Sequence, residues 1–190
     1  MIKNIYIFYK LLFSILSYFI TLIPQYFFKK YKKKDQLTDL GFILTPNLSK
    51  YSHIYDNFTI LVAFVTLIFY NFNTDEIIDY NLSTMLNFVS LGYLISSTCH
   101  LFTIMPFPPN KSIGISVNDN IMSNHTYNIG LFLITLEKCN FIYTNTLILL
   151  SFLYGFGIIF IRIHYTVDVI LAYWFLFFSY KIWDNFELII

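Results

Sequence analysis

The sequence predicts an all-α fold: a polytopic transmembrane helix bundle of about six spans. Three observations carry that prediction. The chain of 190 residues is 57% hydrophobic and 12% charged, against about 25% charged in soluble domains. Its mean hydropathy is +0.62. Its apolar residues come in long blocks rather than amphipathic stripes, as lipid-facing helices require. The net charge of +1 points to no acidic partner.

Six blocks follow one another: Ile5–Phe28, Phe58–Phe72, Met85–Phe107, Thr126–Leu136, Phe141–Ile161 and Tyr165–Trp183. A helix crosses hydrocarbon in about 20 residues, a length the first, third, fifth and sixth blocks reach. The second and fourth are short; Glu137 and Lys138, which end the fourth, can snorkel to the interface of a tilted helix. The first block lacks a small-residue cleavage site and reads as a retained span. Residues 1–36 therefore form an N-terminal helix with a basic juxtamembrane run, 37–183 a membrane domain, and 184–190 a short tail.

Three loops lie between the blocks on one face, because each follows an odd-numbered helix. They span 29–57, 107–124 and 162–164. The first carries Lys29, Lys30, Lys32, Lys33 and Lys34, read as a topological signal or as a patch for anionic headgroups. Nothing supports nucleic-acid binding, since the only basic run is juxtamembrane. Cys99 and Cys139 fall near opposite membrane faces and are not expected to pair. The chain has no C-x-x-C, no H-E-x-x-H and no Gly-rich phosphate loop, so neither metal nor cofactor is expected.

The last block opens with charge: "RIHYTVD" at 162–168. His164 and Asp168 are four residues apart and share one helix face. A carboxylate there orients one ring nitrogen and raises the basicity of the other, which suits a nucleophile or base. The alternative is a structural Asp–His pair closing a helix end. A charge well inside hydrocarbon costs at least ~2.5 kcal/mol, and Asp168 lies only about one turn deep. Just before the fourth block stands "DNIMSNHT", with Asp119, Ser123, Asn124 and His125. Ser and Asn favour a helix start, and a helix start favours an anion. The fourth and sixth blocks run in the same direction. Two histidines, two helix N-termini and Arg162 are thus expected to converge on one phosphate, with one imidazole attacking phosphorus and the other protonating the leaving oxygen.

"HYTVDVILAY" at 164–173 resembles the last motif of the sphingomyelin synthase-like branch of the type 2 phosphatidic acid phosphatase (PAP2) superfamily, H-Y-T-x-D-V-x-x-A-Y. "DNIMSNHT" at 119–126 is similar to the preceding motif, C-G-D-x-x-x-S-G-H-T, with Val117, Asn118 and Asn124 replacing Cys, Gly and Gly. "LTDLGFILTPNL" at 37–48 resembles a loop of plant-type inositol phosphorylceramide synthases, and "FTIMPFPP" at 102–109 resembles a T-x-x-P-x-P stretch. The resemblance implies a PAP2-like six-helix membrane enzyme working without metal through a phosphohistidine-like intermediate. His164 would be the nucleophile, Asp168 its orienting partner and His125 the general acid and base. Arg162, Ser123, Asn124, Asp119 and Lys111 would shape the phosphate pocket.

The implied function is transfer of a phospholipid phosphate headgroup to a ceramide-like acceptor. Water as acceptor would make a lipid phosphatase, and a catalytically inactive protein of the same fold is the third reading. The departures motivating that third reading are Gly92, in "SLGY", where family members often carry an arginine after leucine, and Asn124, which replaces the glycine of the second motif. The expected partners are membrane lipids, and the expected location is a multi-pass position in an endomembrane (ER or Golgi) or the plasma membrane. Sphingomyelin synthases hold their catalytic loops toward the lumen or exterior. Here the loop face carries the lysines at 29–34 with Lys50, Lys111 and Arg162, which the positive-inside rule turns toward the cytosol.

Overall fold

A computed structural model of the chain describes residues 2–27, 39–72, 76–102 and 122–187. The described residues are helices joined by turns: α1 (Ile2–Phe27), α2 (Leu40–Leu44), a 3₁₀ turn (Ser49–Tyr51), α3 (Ser52–Phe72), α4 (Glu76–Phe102), α5 (Asn124–Lys138), α6 (Thr144–Phe160) and α7 (Thr166–Glu187). Among the described residues, each of the six apolar blocks contributes one long helix. Polar residues that periodicity leaves outside extend three of them. Helix α3 starts at Ser52, and α4 starts at Glu76, with Glu76 and Asp79 in a first turn that favours negative charge. Helix α7 continues to Glu187 and so takes in half of the tail expected after Trp183. The loop expected over 29–57 contains α2 and the 3₁₀ turn.

One stretch among the described residues, Thr166–Asn185, is long and apolar enough to cross a bilayer by length and composition; Phe8–Ile20 and Thr144–Phe160 are apolar but shorter. The outer surfaces of α6 and α7 are nonetheless rich in large apolar side chains. Leu149, Leu153, Trp174 and Phe177 are all more than half exposed.

Helix α5 is the centre of the bundle and packs against α3, α4, α6 and α7, while α1 lies along α4. The α1–α4 seam is polar and close. Ser14 Oγ bonds Ser90 Oγ at 2.8 Å and donates to the Leu86 carbonyl at 3.0 Å, and Lys10 donates to Ser83. Small hydroxyl side chains let two backbones approach and satisfy one another where no water competes. At the far end of α7, buried Trp183 donates to Asn81 Oδ1 at 3.2 Å and stacks on Phe88. There Lys138 pairs with Asp184, and Glu137 accepts from Thr144 at 2.8 Å and Tyr180 at 3.3 Å.

Gly92 has a packing reason. The Tyr127 ring lies against it, and any Cβ at 92 would overlap ring carbons Cε1 and Cδ1. The ring is held there: Tyr127 is 2% exposed, and its hydroxyl donates to the Phe88 carbonyl (3.2 Å) and bonds Ser179 Oγ (2.9 Å). An arginine at 92 would have to displace the first turn of α5.

Candidate functional site

The site forms where α5 and α7 begin. Ser123 caps α5: its Oγ accepts from the Thr126 amide at 3.2 Å and bonds Thr126 Oγ1 at 3.0 Å. The Ser123 amide donates to the Asp168 carbonyl at 3.1 Å. That main-chain bond ties the start of α5 to the first turn of α7. It carries His125, in the first turn of α5, to His164, two residues ahead of α7.

The result is an imidazole pair. His125 Nδ1 lies 3.3 Å from His164 Nε2, with ring centroids 5.5 Å apart. Behind it, His164 Nδ1 lies 3.5 Å from Asp168 Oδ2, and both side chains are buried. Asp168 Oδ2 also accepts from the Tyr165 amide at 3.0 Å, the reach-back half of a capping box. Asp168 faces one nitrogen of His164 and His125 faces the other, an arrangement that suits an Nδ1–H tautomer of His164 with its Nε2 lone pair toward His125.

The link between α6 and α7 explains why His164 is held so firmly. It is a Schellman turn: Arg162 N donates to the Ile159 carbonyl at 3.1 Å and Ile163 N to the Ile158 carbonyl at 3.3 Å. Arg162 takes the left-handed position, φ 61°, that glycine usually fills. An L side chain there costs roughly 1–2 kcal/mol. Its guanidinium offsets the strain by docking on the 39–45 segment: Nη2 donates to the Phe42 carbonyl at 2.7 Å and the Thr45 carbonyl at 3.3 Å, over the Phe42 ring. Arg162 Nε is buried with no hydrogen-bond partner.

Of the residues expected at the site, His125, His164 and Asp168 are brought together. Ser123 is fully buried as a helix cap. Asn124 is helical, not left-handed, which accounts for the tolerated loss of glycine; its Nδ2 donates to Ser96 Oγ at 3.2 Å. Arg162 is anchored to main-chain carbonyls. Asp119 and Lys111 lie outside the described residues, as do the lysines at 29–34. His53 is exposed in the first turn of α3. Periodicity reads past Asp39 and Thr166, which pack beside this loop; an Asp ahead of the apolar run "LGFIL" is a helix-start signal.

Residues 117–186 match the family model described as PAP2 superfamily C-terminal. That match supports membership of the PAP2 superfamily, whose members are generally phosphatases or phosphotransferases and typically associate with membranes. No curated protein and no solved structure matches the chain.

Proposed function

We propose that the chain is a multi-pass membrane enzyme that transfers the phosphate headgroup of a phospholipid to a ceramide-like alcohol through His164. The observation that carries this reading is the 3.3 Å approach of His125 Nδ1 to His164 Nε2 with Asp168 3.5 Å behind. The phosphoryl group enters between the rings and replaces their mutual hydrogen bond. The Nε2 lone pair of His164 forms a bond to phosphorus while the bond from phosphorus to the diacylglycerol oxygen breaks. His125 gives its Nδ1 proton to that oxygen. In the second half the acceptor hydroxyl loses its proton to the now bare His125 Nδ1, its oxygen bonds phosphorus, and the P–N bond breaks.

The surroundings support an anionic lipid substrate. Two helix N-termini face the pair, and each favours a phosphate. Arg162 Nε is a buried donor that a phosphate oxygen would satisfy. Ile129 and Leu133, four and eight residues beyond His125 along α5, line an open apolar cavity of about 380 Å³ together with Tyr55, Phe58, Leu153 and Tyr154. That cavity suits an acyl chain leading away from the histidines. The apolar outer faces of α6 and α7 suit hydrocarbon on several sides of the bundle, in line with six spans.

The acceptor is decided by assay. Phospholipid labelled in its headgroup phosphate is incubated with the protein in vesicles, with and without ceramide. Label appearing in a sphingophospholipid, without free headgroup phosphate, is the expected result. Equal release of water-soluble phosphate in both samples would make the protein a lipid phosphatase instead.

A further inference from the structure

We infer that Asp39, far from the histidines in sequence, is a positioning residue for His164; the inference rests on the catalytic reading above. Asp39 is 9% exposed and stands at the start of α2. Its carboxylate accepts three hydrogen bonds: from the Phe42 amide at 3.0 Å, the Thr166 amide at 2.7 Å and the Thr166 hydroxyl at 2.6 Å. It thus caps two helices at once, α2 from within and α7 from outside.

Thr166 sits between His164 and Asp168, so the residue that Asp39 grips carries both members of the pair. Helix α7 has orphan amides at its first turn like any other helix. Its capping position is Tyr165, whose side chain cannot accept a bond from those amides as Ser or Asp would. Two carboxylates divide the work instead: Asp168 takes the Tyr165 amide and Asp39 the Thr166 amide. Without Asp39, the Thr166 amide and hydroxyl lose the acceptor that holds the first turn of α7, and with it the placement of His164 and Asp168.

The contact is specific. The backbone of α2 comes so close to Thr166 that a Cβ at Gly41 would overlap its hydroxyl. Arg162 holds the same strap from the other side through the Phe42 and Thr45 carbonyls, the Phe42 ring stacks on Tyr165 at 5.5 Å, and Leu48 N donates to the Phe160 carbonyl at 2.9 Å. The segment 39–48 therefore clasps the whole turn 160–166.

The test uses the full chain in detergent micelles, with histidine labelled by ¹⁵N, and compares Asp39→Asn, Thr166→Val and His164→Ala with the parent. An asparagine offers one acceptor where three donors converge, and its NH₂ meets a donor. The expected result for Asp39→Asn is a fall in kcat of about 10- to 100-fold, the scale of a displaced catalytic group, with KM within about twofold of the parent. The His164 ring signals should move from a single Nδ1–H tautomer to a mixture. Thr166→Val removes one of the two bonds and should shift both readouts in the same direction, less far; it decides the matter if Asp39→Asn fails to fold. Folded Asp39→Asn and Thr166→Val proteins with parental ring signals and parental kcat would overturn the inference. An inactive His164→Ala leaves the catalytic reading standing in that event. Should His164→Ala remain active, the catalytic reading falls and the ring signals alone decide the role of Asp39.

Discussion

Replacing Asp168 with asparagine tests the central geometry most directly. The side chain keeps its shape, and its carbonyl oxygen can still accept from the Tyr165 amide, now 3.0 Å away. What is lost is the charge facing His164 Nδ1 at 3.5 Å. When His164 attacks phosphorus its ring becomes cationic, and a carboxylate at that distance attracts it by roughly 5 kcal/mol at an effective dielectric of about 20. Losing that attraction in the transition state alone slows the reaction about 10³- to 10⁴-fold. The tautomer is not expected to change, because the oxygen that accepts from the Tyr165 amide is also the one that faces His164 Nδ1, so the amide oxygen can take both contacts. A fall of about 10³-fold or more in kcat is therefore expected, with helical content unchanged. The assay is headgroup-phosphate release or transfer from labelled phospholipid in vesicles, read at saturating substrate. Turnover within tenfold of the parent would refute the claim that Asp168 orients and stabilises His164.

Further outcomes follow from the packing. Gly92→Ala should cost about 1–3 kcal/mol by overpacking against Tyr127, measured by denaturation in mild detergent; in a Tyr127→Ala background that cost should vanish, and equal costs in both backgrounds would deny the contact. Arg162→Gly relieves the left-handed backbone but removes the anchor on Phe42 and Thr45. Stability should hold to within about 1 kcal/mol while kcat drops at least about tenfold as the turn loosens. Ser123→Ala should lower stability by about 1 kcal/mol through the lost cap, visible as a lower midpoint in the same denaturation assay. Lys138→Met breaks the pair with Asp184 at the opposite end of α5. It should cost about 1–3 kcal/mol yet leave phosphate transfer within about twofold of the parent.

The part of this architecture that was legible beforehand is the part governed by local physics. Each apolar block is long enough to dictate a helix, because main-chain polar groups in an apolar stretch must bond within the segment. The four-residue spacing of His164 and Asp168 places them on one face whatever the rest of the chain does. Boundaries were less legible: α4 begins at Glu76 rather than near Met85, since acidic residues in a first turn extend a helix that hydrophobicity alone would start later. The cap at Ser123 is also a local signal, and it works locally.

Contacts between distant segments belong to another category. Nothing in "SLGY" shows that a tyrosine 35 positions further on will press its ring against Gly92. Arg162 reads as a cation free for a phosphate, yet a turn that puts it at φ 61° delivers Nη2 to carbonyls 117 and 120 residues earlier. By itself the sequence determined six helices, a carboxylate-backed histidine at the head of the last one, and a second histidine at the head of another. Only the tertiary structure decided that Asp39 would reach Thr166 across 127 residues, and that the two rings would approach to hydrogen-bonding distance. The physical reason is range. Helix formation and capping are settled within a few residues, whereas a bond between remote groups exists only where packing of the whole bundle brings them within about 3 Å.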